Sequence, residues 1–307
     1  MNPRGSPRVI MLFLDGVGIG TEDDRVNPFF GPGMASLREI LGGSMVHLGD
    51  SRRSGPEGSV VPLDATFGIP GLPQSGTGQT ALFTGLDAPR IVGRHFGPYP
   101  YSTLRPLIRN GNIFSILAAV GKRGLYANAF PRQYHDHIAG RPSRMTVLPL
   151  SWVGAGNTLN DSTLLSRGKA LSADITNERW KDLGYPEVMP VTPQEAGQRL
   201  VGMTEEADLV LFEYYVTDHA GHAQSMDEAL MVLSRLDGLI EGILSGAGDE
   251  ILLIVTSDHG NLEDLSTKSH TLNPVPLIAR GAGHAEFVRH ATNLQHVLPA
   301  ILRLYRS

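Results

Sequence analysis

Carboxylate and imidazole side chains recur in three short motifs of this chain. Asp218 and His222 stand four residues apart on an expected tight turn that contains glycine, Asp258 is followed at once by His259, and His270 comes eleven residues later. Carboxylate oxygens and imidazole nitrogens are the ligands that zinc, manganese and similar divalent ions prefer. The residue types and their spacing therefore predict a metal site.

Three aspartates each follow a short apolar run of the kind that forms a buried strand. The runs are 9–14 before Asp15, 209–216 before Asp218 and 251–255 before Asp258. Ligands of open α/β sheets bind beyond the carboxyl ends of the strands, so the three carboxylates are expected at one edge. With three histidines they exceed the needs of one ion and suit a pair of ions roughly 3.5–4 Å apart that hold a transferring phosphoryl group. Taken singly, an aspartate after a strand is also a common turn or helix-cap residue.

Ser75 lies in a glycine-rich segment near the start of an expected helix over 77–84. A helix N-terminus binds phosphate, and a nearby metal lowers the pKa of a hydroxyl for attack. Ser75 is therefore a candidate nucleophile, with a helix-capping serine as the alternative. The spacing from Gly71 to Gly76 is that of a nucleotide-binding loop, but Thr77 stands where that motif requires lysine, so nucleotide binding is not expected.

The elements that must position these residues alternate along the chain. Further buried strands are expected at 125–130 and 275–279, and helices at 112–120 and 225–245. Strands that alternate with helices indicate an α/β fold with a largely parallel sheet covered on both faces.

Composition narrows the class of protein. The 307 residues are 41% hydrophobic and 19% charged, which is ordinary for a globular chain of about two domains. The net charge of −5, from 26 Lys and Arg against 31 Asp and Glu, argues against a nucleic-acid partner. The absence of cysteine excludes disulfides, thiolate zinc sites and thiol catalysis. No apolar run approaches the roughly 18 residues of a membrane span, so we expect a cytoplasmic protein without a membrane partner.

Five motifs stand in the order seen in the alkaline phosphatase superfamily. They are Leu14-Asp15-Gly16-Val17-Gly18, the Ser75 loop, Asp218-x-x-x-His222, Asp258-His259-Gly260-Asn261 and His270-Thr271. Within that superfamily the chain most resembles the branch of cofactor-independent phosphoglycerate mutase and phosphopentomutase. The resemblance implies an α/β fold, with an alkaline-phosphatase-like core whose mostly parallel central sheet is flanked by helices, plus a small inserted cap. It assigns 1–130 and 192–307 to a discontinuous metal-binding catalytic core and 131–191 to the cap, which we call the insert.

The resemblance also implies a role for each candidate ligand. Asp15, Ser75, Asp258 and His259 would hold one divalent ion, and Asp218, His222 and His270 would hold the other. Ser75 would become phosphorylated and then pass the phosphoryl group to water or to a second hydroxyl. Mixed oxygen and imidazole ligands favour manganese or zinc, with magnesium as a further option.

Two features depart from the mutase pattern. Gln79 occupies the place, four residues after Ser75, where mutases of this branch usually carry a histidine, so Thr77 stays an alternative nucleophile. The insert is also far smaller than the transferase domain of phosphoglycerate mutases, which argues against strict phosphoglycerate mutase activity.

Basic residues supply the candidate substrate-binding groups, because arginine binds phosphate and carboxylate bidentately. Four lie at the start of the insert and three follow the nucleophile helix: Arg132, His135, His137 and Arg141, then Arg90, Arg94 and His95. A solvated surface loop is the alternative for the group in the insert, and the group after the nucleophile helix could reach the same edge.

The expected function is dimetal phosphoryl transfer through phospho-Ser75, with hydrolysis of a small phosphorylated metabolite as its simplest outcome. The alternative is a phosphomutase of the phosphoglycerate mutase or phosphopentomutase type, which shields the phosphoserine from water. Cleavage of a phosphodiester or phosphonate, and metal binding without turnover, rank below both. The sequence names neither the substrate nor the oligomeric state.

Overall fold

The computed structural model describes residues 5–305, and these contain one seven-stranded sheet. The strands are β1 Arg8–Leu14, β2 Arg53–Ser54, β3 Gly58–Leu63, β4 Gly124–Tyr126, β5 Leu209–Tyr214, β6 Ile251–Thr256 and β7 Val275–Arg280. Their order across the sheet is β2-β3-β7-β6-β1-β5-β4. β6, β1, β5 and β4 pair in parallel, and β7 is antiparallel to both β6 and β3. Five of the seven strands, these four and β3, therefore run the same way, which confirms the expected mostly parallel sheet.

Helices flank this sheet. In chain order they are α1 Ala35–Ile40, α2 Ser75–Thr84, α3 Ala88–Val92, α4 Leu104–Asn110, α5 Ile113–Ala119, α6 Arg132–Ala139, α7 Val147–Gly154, α8 Ser162–Ser166, α9 Glu178–Asp182, α10 Pro193–Met203, α11 Val216–Ala223, α12 Met226–Gly246, α13 His284–Val288 and α14 Val297–Arg303. Within residues 5–305, none of the helices combines the length and the apolar character that crossing a membrane requires.

Alternating side chains along β1 define the two faces of the sheet. Val9, Met11 and Phe13 belong to a buried cluster that includes residues of α2, α4, α5, α7 and α14. Ile10 and Leu12 belong to a second cluster, with residues of α1, α10 and α12. All five side chains are fully buried, as expected for a central strand with both faces covered.

The segment after β5 differs from the prediction. The strand ends at Tyr214 rather than 216, and α11 begins at Val216. Asp218 and His222 therefore lie one turn apart on an α-helix, not in a tight turn. This spacing places both side chains on the same side of the helix.

The expected strand over 125–130 is shorter in the structure. β4 ends at Tyr126, and only isolated bridges continue the pairing beyond it, Asn128 with Leu171 and Ala129 with Asn160. Both bridge partners, Leu171 and Asn160, belong to the insert. The insert therefore pairs with the chain just after the edge strand β4.

The insert packs in two ways. α7 packs into the core shared with α4 and α5, and Trp152 meets Phe114 edge-on at 4.9 Å between ring centroids. Trp180, Leu165 and Val188 belong instead to a small separate apolar cluster. Part of the insert is therefore continuous with the main core.

Candidate metal centre

Asp15, Asp258 and His259 form a buried group that we call the inner cluster. Asp15 directly follows β1, and the other two follow β6, so the carboxyl ends of two paired parallel strands bring them together. Nε2 of His259 lies 3.3 Å from Oδ1 of Asp15 and 3.6 Å from Oδ2 of Asp258. One ligand atom from each residue lies within 4.8 Å of the other two, which is the arrangement of a three-ligand metal site.

The inner cluster buries two carboxylate groups, each with one oxygen that lacks a hydrogen-bond partner. Oδ1 of Asp15 and Oδ2 of Asp258 are buried without a hydrogen-bond partner. Burial and the neighbouring Asp258 raise the pKa of Asp15 well above its usual range. Burial lowers the pKa of His259, but Asp258 and Asp15 outweigh it and raise that pKa to about 10. A divalent cation would pair the orphaned oxygens and relieve the carboxylate repulsion, so this donor set fits a metal ion.

Asp218, His222 and His270 form a second group, the outer cluster. The first two lie on α11, and His270 lies in the loop before β7. Nε2 of His222 is 3.3 Å from Oδ2 of Asp218, and Nε2 of His270 is 3.7 Å from Oδ1. Their ligand atoms also lie within 4.8 Å of one another. Unlike the inner cluster this group meets solvent, since 43% of the His222 side chain is exposed.

Backbone carbonyls orient both outer histidines. Nδ1 of His222 lies 2.7 Å from the carbonyl oxygen of Lys268, and Nδ1 of His270 lies 2.7 Å from that of Pro73. Because a carbonyl only accepts, Nδ1 carries a proton in each ring, which leaves Nε2, the nitrogen that faces Asp218, as the one able to bind a metal. This is the tautomer and the backbone support that a metal-binding histidine requires.

The two clusters are neighbours. The ring of His259 stacks on that of His270, with 3.8 Å between centroids and 15° between planes. The six Asp and His side chains predicted as ligands thus lie in two adjacent groups with the expected membership. Their binding of metal stays a prediction.

Ser75 lies beside the inner cluster as the first residue of α2, after the N-cap residue Gln74. Its Oγ is 3.0 Å from Nε2 of His259. α2 can approach this closely because Gly78 has no side chain: a Cβ there would lie 2.7 Å from the backbone oxygen of Asp258. The helix therefore presents its N-terminus and the Ser75 hydroxyl to the clusters.

The alternative nucleophile Thr77 is fully buried. Its Oγ1 donates to the Gln74 carbonyl at 3.1 Å and accepts from the Phe96 N–H at 3.2 Å. Backbone groups therefore occupy its hydroxyl, which favours Ser75. Gln79 faces the site, where its Nε2 donates to Oδ2 of Asp15 at 3.2 Å.

Gly16 is a second position where only glycine fits. Its φ is +68°, and a Cβ there would lie 2.4 Å from Oδ1 of Asp218. A side chain at this position would have a strained backbone and would collide with Asp218 of the outer cluster.

Sequence reasoning missed Glu263, a carboxylate that is 1% exposed. Its Oε2 accepts from the backbone N–H groups of Gly18 at 2.8 Å and Asn261 at 2.7 Å. Its Oε1 accepts from Oγ1 of Thr271 at 2.5 Å and Nδ2 of Asn273 at 3.0 Å. Glu263 thus ties the loops after β1 and β6 to the loop that carries His270. No local pattern marks it, because an acidic residue in a polar loop ordinarily lies at the surface.

Asn261, like Glu263, positions a residue of the site. In the sequence it stands out only as the last residue of the motif that begins at Asp258. Its Nδ2 donates to Oδ1 of Asp218 at 2.6 Å and to the Asp218 backbone oxygen at 3.1 Å. Asn261 therefore holds the carboxylate of the outer cluster from the loop that follows the inner one.

Comparison with known proteins places this geometry in context. Residues 186–306 match the Metalloenzyme superfamily, and this stretch holds five of the predicted ligands, Asp218, His222, Asp258, His259 and His270. The chain is 30% identical over 113 residues to the 2,3-bisphosphoglycerate-independent phosphoglycerate mutase of Haloquadratum walsbyi, which is 33% of this chain and 22% of that protein. It is 32% identical over 135 residues to the mutase of the same name from Roseobacter denitrificans, 40% of this chain and 26% of that one. The matched stretch spans about a quarter of the length of these mutases.

Solved structures resemble the whole chain. The PH0037 protein from Pyrococcus horikoshii aligns over 98% of this chain and 97% of its own, with a TM-score of 0.60 and 12% identity. The alkaline phosphatase of the Antarctic bacterium TAB5 aligns over 98% of both, with a TM-score of 0.56 and 15% identity. The Leishmania mexicana phosphoglycerate mutase aligns over 99% and 96%, with a TM-score of 0.50 and 13% identity. At these identities the likeness shows the fold.

The resemblance to the alkaline phosphatase superfamily is confirmed. The prediction of an enzyme is also confirmed, since residues 186–306 match the Metalloenzyme superfamily and the matched curated relatives are phosphoglycerate mutases. Divalent metal ions are the cofactors that this superfamily suggests.

A cavity of about 370 Å³ opens beside Ser75, and we call it the Ser75 cavity. Asp15 and Asp218 border it, so it adjoins both clusters. Its walls come from the chain after β4, from the insert and from the β5–α11 junction. The cavity therefore adjoins the candidate nucleophile as well as both clusters.

The structure places the predicted substrate-binding residues elsewhere. All seven lie in the described part of the chain, and the cavity wall contains none of them: Arg90, Arg94, His95, Arg132, His135, His137 and Arg141. On α6, Tyr134 and Ile138 share the inward face, so Arg132 and His137 lie exposed on the other sides of the helix.

The residues after α2 lie outside the cavity for a different reason. Arg90 forms an exposed ion pair with Asp87 at 2.8 Å. Arg94 and His95 line a separate shallow recess beside Gln74. Substrate binding by any of the seven stays a prediction.

Proposed function

We propose that this metalloenzyme hydrolyses a small phosphomonoester through a phosphorylated Ser75. The observation that carries the proposal is the Ser75 hydroxyl at the start of α2, 3.0 Å from His259 and next to two three-ligand clusters. A hydroxyl nucleophile, a helix N-terminus and two cation sites are the parts that phosphoryl transfer needs.

Two divalent ions would complete this site. Asp15, Ser75, Asp258 and His259 would hold one, and the outer cluster would hold the other. When bound, the ions would lower the pKa of the Ser75 hydroxyl and neutralise charge on the phosphoryl oxygens. The mixture of carboxylate and imidazole ligands favours manganese or zinc over magnesium.

The chain's own groups orient the reaction. The N-terminus of α2 directs its first amides and a partial positive charge at the phosphoryl group. Ser75 Oγ attacks phosphorus, the bond between phosphorus and the alcohol oxygen breaks, and the alcohol leaves. Water then attacks the phosphoserine, the bond from phosphorus to Oγ breaks, and inorganic phosphate is released.

The proposal assigns catalysis to 1–130 and 192–307, and assigns the insert to covering the substrate. Pro131, Tyr134 and Thr146 of the insert line the Ser75 cavity, which supports this division. A small phosphorylated substrate fits because the cavity has the size of an ordinary small-molecule site.

The experiment is phosphate release from a panel of phosphomonoesters by the manganese- or zinc-loaded enzyme. Ser75→Ala should reduce release by about a thousandfold or more, because it removes the nucleophile. Ser151→Ala is the matched control, since Ser151 is also buried on a helix but its Oγ donates to the Val147 carbonyl. Equal release by Ser75→Ala and wild type would refute the proposal.

A phosphomutase is the second candidate, because the curated relatives matched in sequence are phosphoglycerate mutases. It shares the attack by Ser75 but returns the phosphoryl group to a hydroxyl of the substrate. Product analysis separates the two activities: an isomeric ester with little free phosphate would favour the mutase, and stoichiometric phosphate would favour the hydrolase.

A further inference from the structure

The walls of the Ser75 cavity determine which alcohols the phosphoryl group can be attached to. At one end lie Ser75 and the carboxylates Asp15 and Asp218. With the phosphoryl group placed there, the remainder of the ester must occupy the space between the insert and the β5–α11 junction.

Among the described residues that line this space, the one basic side chain is the imidazole of His219. Among the described residues that line it there is no lysine or arginine. Beyond the two clusters its acidic side chain is Glu213, which is 5% exposed and accepts a hydrogen bond from the Tyr126 hydroxyl. A carboxylate or second phosphate on the substrate would lose its hydration and find no lysine or arginine to pair with.

Of the two side-chain amides in the wall, Gln79 and Asn128, the second is already hydrogen-bonded to the backbone. Nδ2 of Asn128 donates to the backbone oxygen of Glu213 at 2.8 Å, and its Oδ1 accepts from the Glu213 N–H at 2.8 Å. Asn128 therefore serves the sheet edge and offers little to a charged or highly hydroxylated substrate.

Aromatic rings form much of the remaining wall. Phe130 and Tyr134 stack with 4.5 Å between centroids and 28° between planes. Tyr215 and His219 form a second ring pair at 5.4 Å. A flat apolar group between these pairs would bury its faces against aromatic surface.

We infer that the alcohol part of the substrate is uncharged and carries an aromatic ring. The inference rests on the proposed function for the position of the phosphoryl group. It also explains why the basic residues of α6 and of the segment after α2 contribute nothing to the cavity: its occupant has no second anion for them to bind.

Binding of two phosphonates tests the inference without requiring turnover. The probes are benzylphosphonate and 4-carboxybenzylphosphonate, which differ by one carboxylate, titrated into manganese-loaded enzyme by calorimetry. Benzylphosphonate should bind at least about tenfold more tightly, the cost of an unpaired charge in a partly dry cavity. Equal or tighter binding of the carboxylated probe, or binding of neither, would overturn the inference.

The corresponding phosphate esters separate this inference from the proposed function. Benzyl phosphate should have a kcat/KM at least about tenfold above that of 4-carboxybenzyl phosphate. If the phosphonates differ as expected but neither ester releases phosphate, the hydrolase proposal fails and the specificity of the cavity stands.

A lysine placed in the cavity wall should reduce the preference for benzylphosphonate over 4-carboxybenzylphosphonate. Thr146 lines the cavity, is half-buried and makes no side-chain capping bond at the start of α7, so Thr146→Lys adds a cation to the wall. It should improve binding of the carboxylated probe relative to benzylphosphonate by about tenfold. Thr163→Lys, an exposed site on α8 outside the cavity wall, is the matched control and should leave the ratio unchanged. An unchanged ratio in Thr146→Lys would count against the inference.

The aromatic part is tested at Tyr134. Tyr134→Leu should reduce the preference for benzylphosphonate over ethylphosphonate by about threefold to tenfold, and Tyr134→Phe should retain it, because the ring and not the hydroxyl makes the contact. Retained preference in the leucine variant would contradict an aromatic substrate.

Discussion

The inner and outer clusters are built from the same ligand types but meet water very differently. The side chains of Asp258 and His259 are fully buried, whereas 43% of the His222 side chain is exposed. Charge in the inner cluster must therefore be balanced by a bound ion or by protons, while solvent also stabilises the outer cluster. Burial, rather than ligand chemistry, distinguishes the two.

The clusters also differ in how the fold holds them. The inner one lies directly at the ends of β1 and β6, two neighbouring strands in the middle of the sheet. The outer one joins α11 to the His270 loop, which Glu263 fastens to the site. The first position is set by the sheet itself, and the second by hydrogen bonds between loops.

Asp258→Asn should have the largest effect, because it removes a charged ligand from the buried group. Turnover should fall by about a thousandfold, and bound metal should fall from about two ions per chain to about one. The metal-free protein should change its free energy of unfolding by more than about 1 kcal/mol, since buried charges in contact are strongly coupled. Metal analysis and urea unfolding measure these effects, with the exposed Asp249→Asn as control. Two tightly bound ions in the variant would contradict the assignment.

His222→Ala should show that the two clusters respond differently to the loss of a ligand. It should remove the outer ion and lower turnover by about a hundredfold, because one of the two cations is lost. The unfolding free energy of the metal-free protein should stay within about 0.5 kcal/mol of wild type, since the side chain is substantially exposed. His290→Ala, at an exposed histidine away from the site, is the control. A large loss of metal-free stability would show that the contrast in burial is wrong.

Glu263→Gln should weaken metal binding without removing a ligand. The amide keeps one acceptor oxygen but cannot accept all four hydrogen bonds of the carboxylate. Metal affinity should fall by about tenfold to a hundredfold, the usual effect of losing a residue that supports ligands. Competition with a chelator measures it, and excess metal should restore most of the activity. Failure of rescue at saturating metal would indicate a more direct role.

Glu213→Gln should change the pH dependence of stability. Burial raises the pKa of Glu213 to about 7 from a usual 4.5, despite the opposing hydrogen bond from Tyr126. A raised carboxyl pKa stabilises the folded state below pH 4.5, and this contribution is lost as the pH rises through 7. Metal-free wild type should therefore lose up to about 3 kcal/mol relative to Glu213→Gln across this range.

Urea unfolding at both ends of that pH range, with a chelator present, measures this loss. Glu205→Gln, at an exposed glutamate, should follow wild type. Parallel pH profiles for wild type and Glu213→Gln would show that Glu213 titrates normally.

The ligand residues could be predicted because each lies beside a strong local signal. The apolar run 9–14 stops at Asp15, and Asp258 and His259 are adjacent shortly after another run. Parallel strands bring their carboxyl ends to one edge, so the order of elements alone predicts that these residues meet. The helical setting of Asp218 was missed, because a glycine-containing stretch after a strand looks like a turn.

The substrate side could not be predicted in the same way. The density of basic residues over 131–144 is a local property, but the direction of each side chain depends on how α6 packs. Its residues Tyr134 and Ile138 turn inward against the core, which leaves Arg132 and His137 exposed. Glu263 escaped notice for a related reason, since its burial comes from loops that are distant in sequence.

The sequence by itself determined the α/β class, the edge of the sheet where ligands meet, the six Asp and His candidates and Ser75 as the candidate nucleophile. These depend on hydrophobic periodicity and on residue chemistry, which are local. Only the tertiary structure decided that one cluster is dry and the other wet, that Glu263 links three loops, and that the Ser75 cavity is aromatic and has no lysine or arginine among its described lining residues. Burial and cavity lining arise from contacts between distant segments, and no short stretch of sequence carries that information.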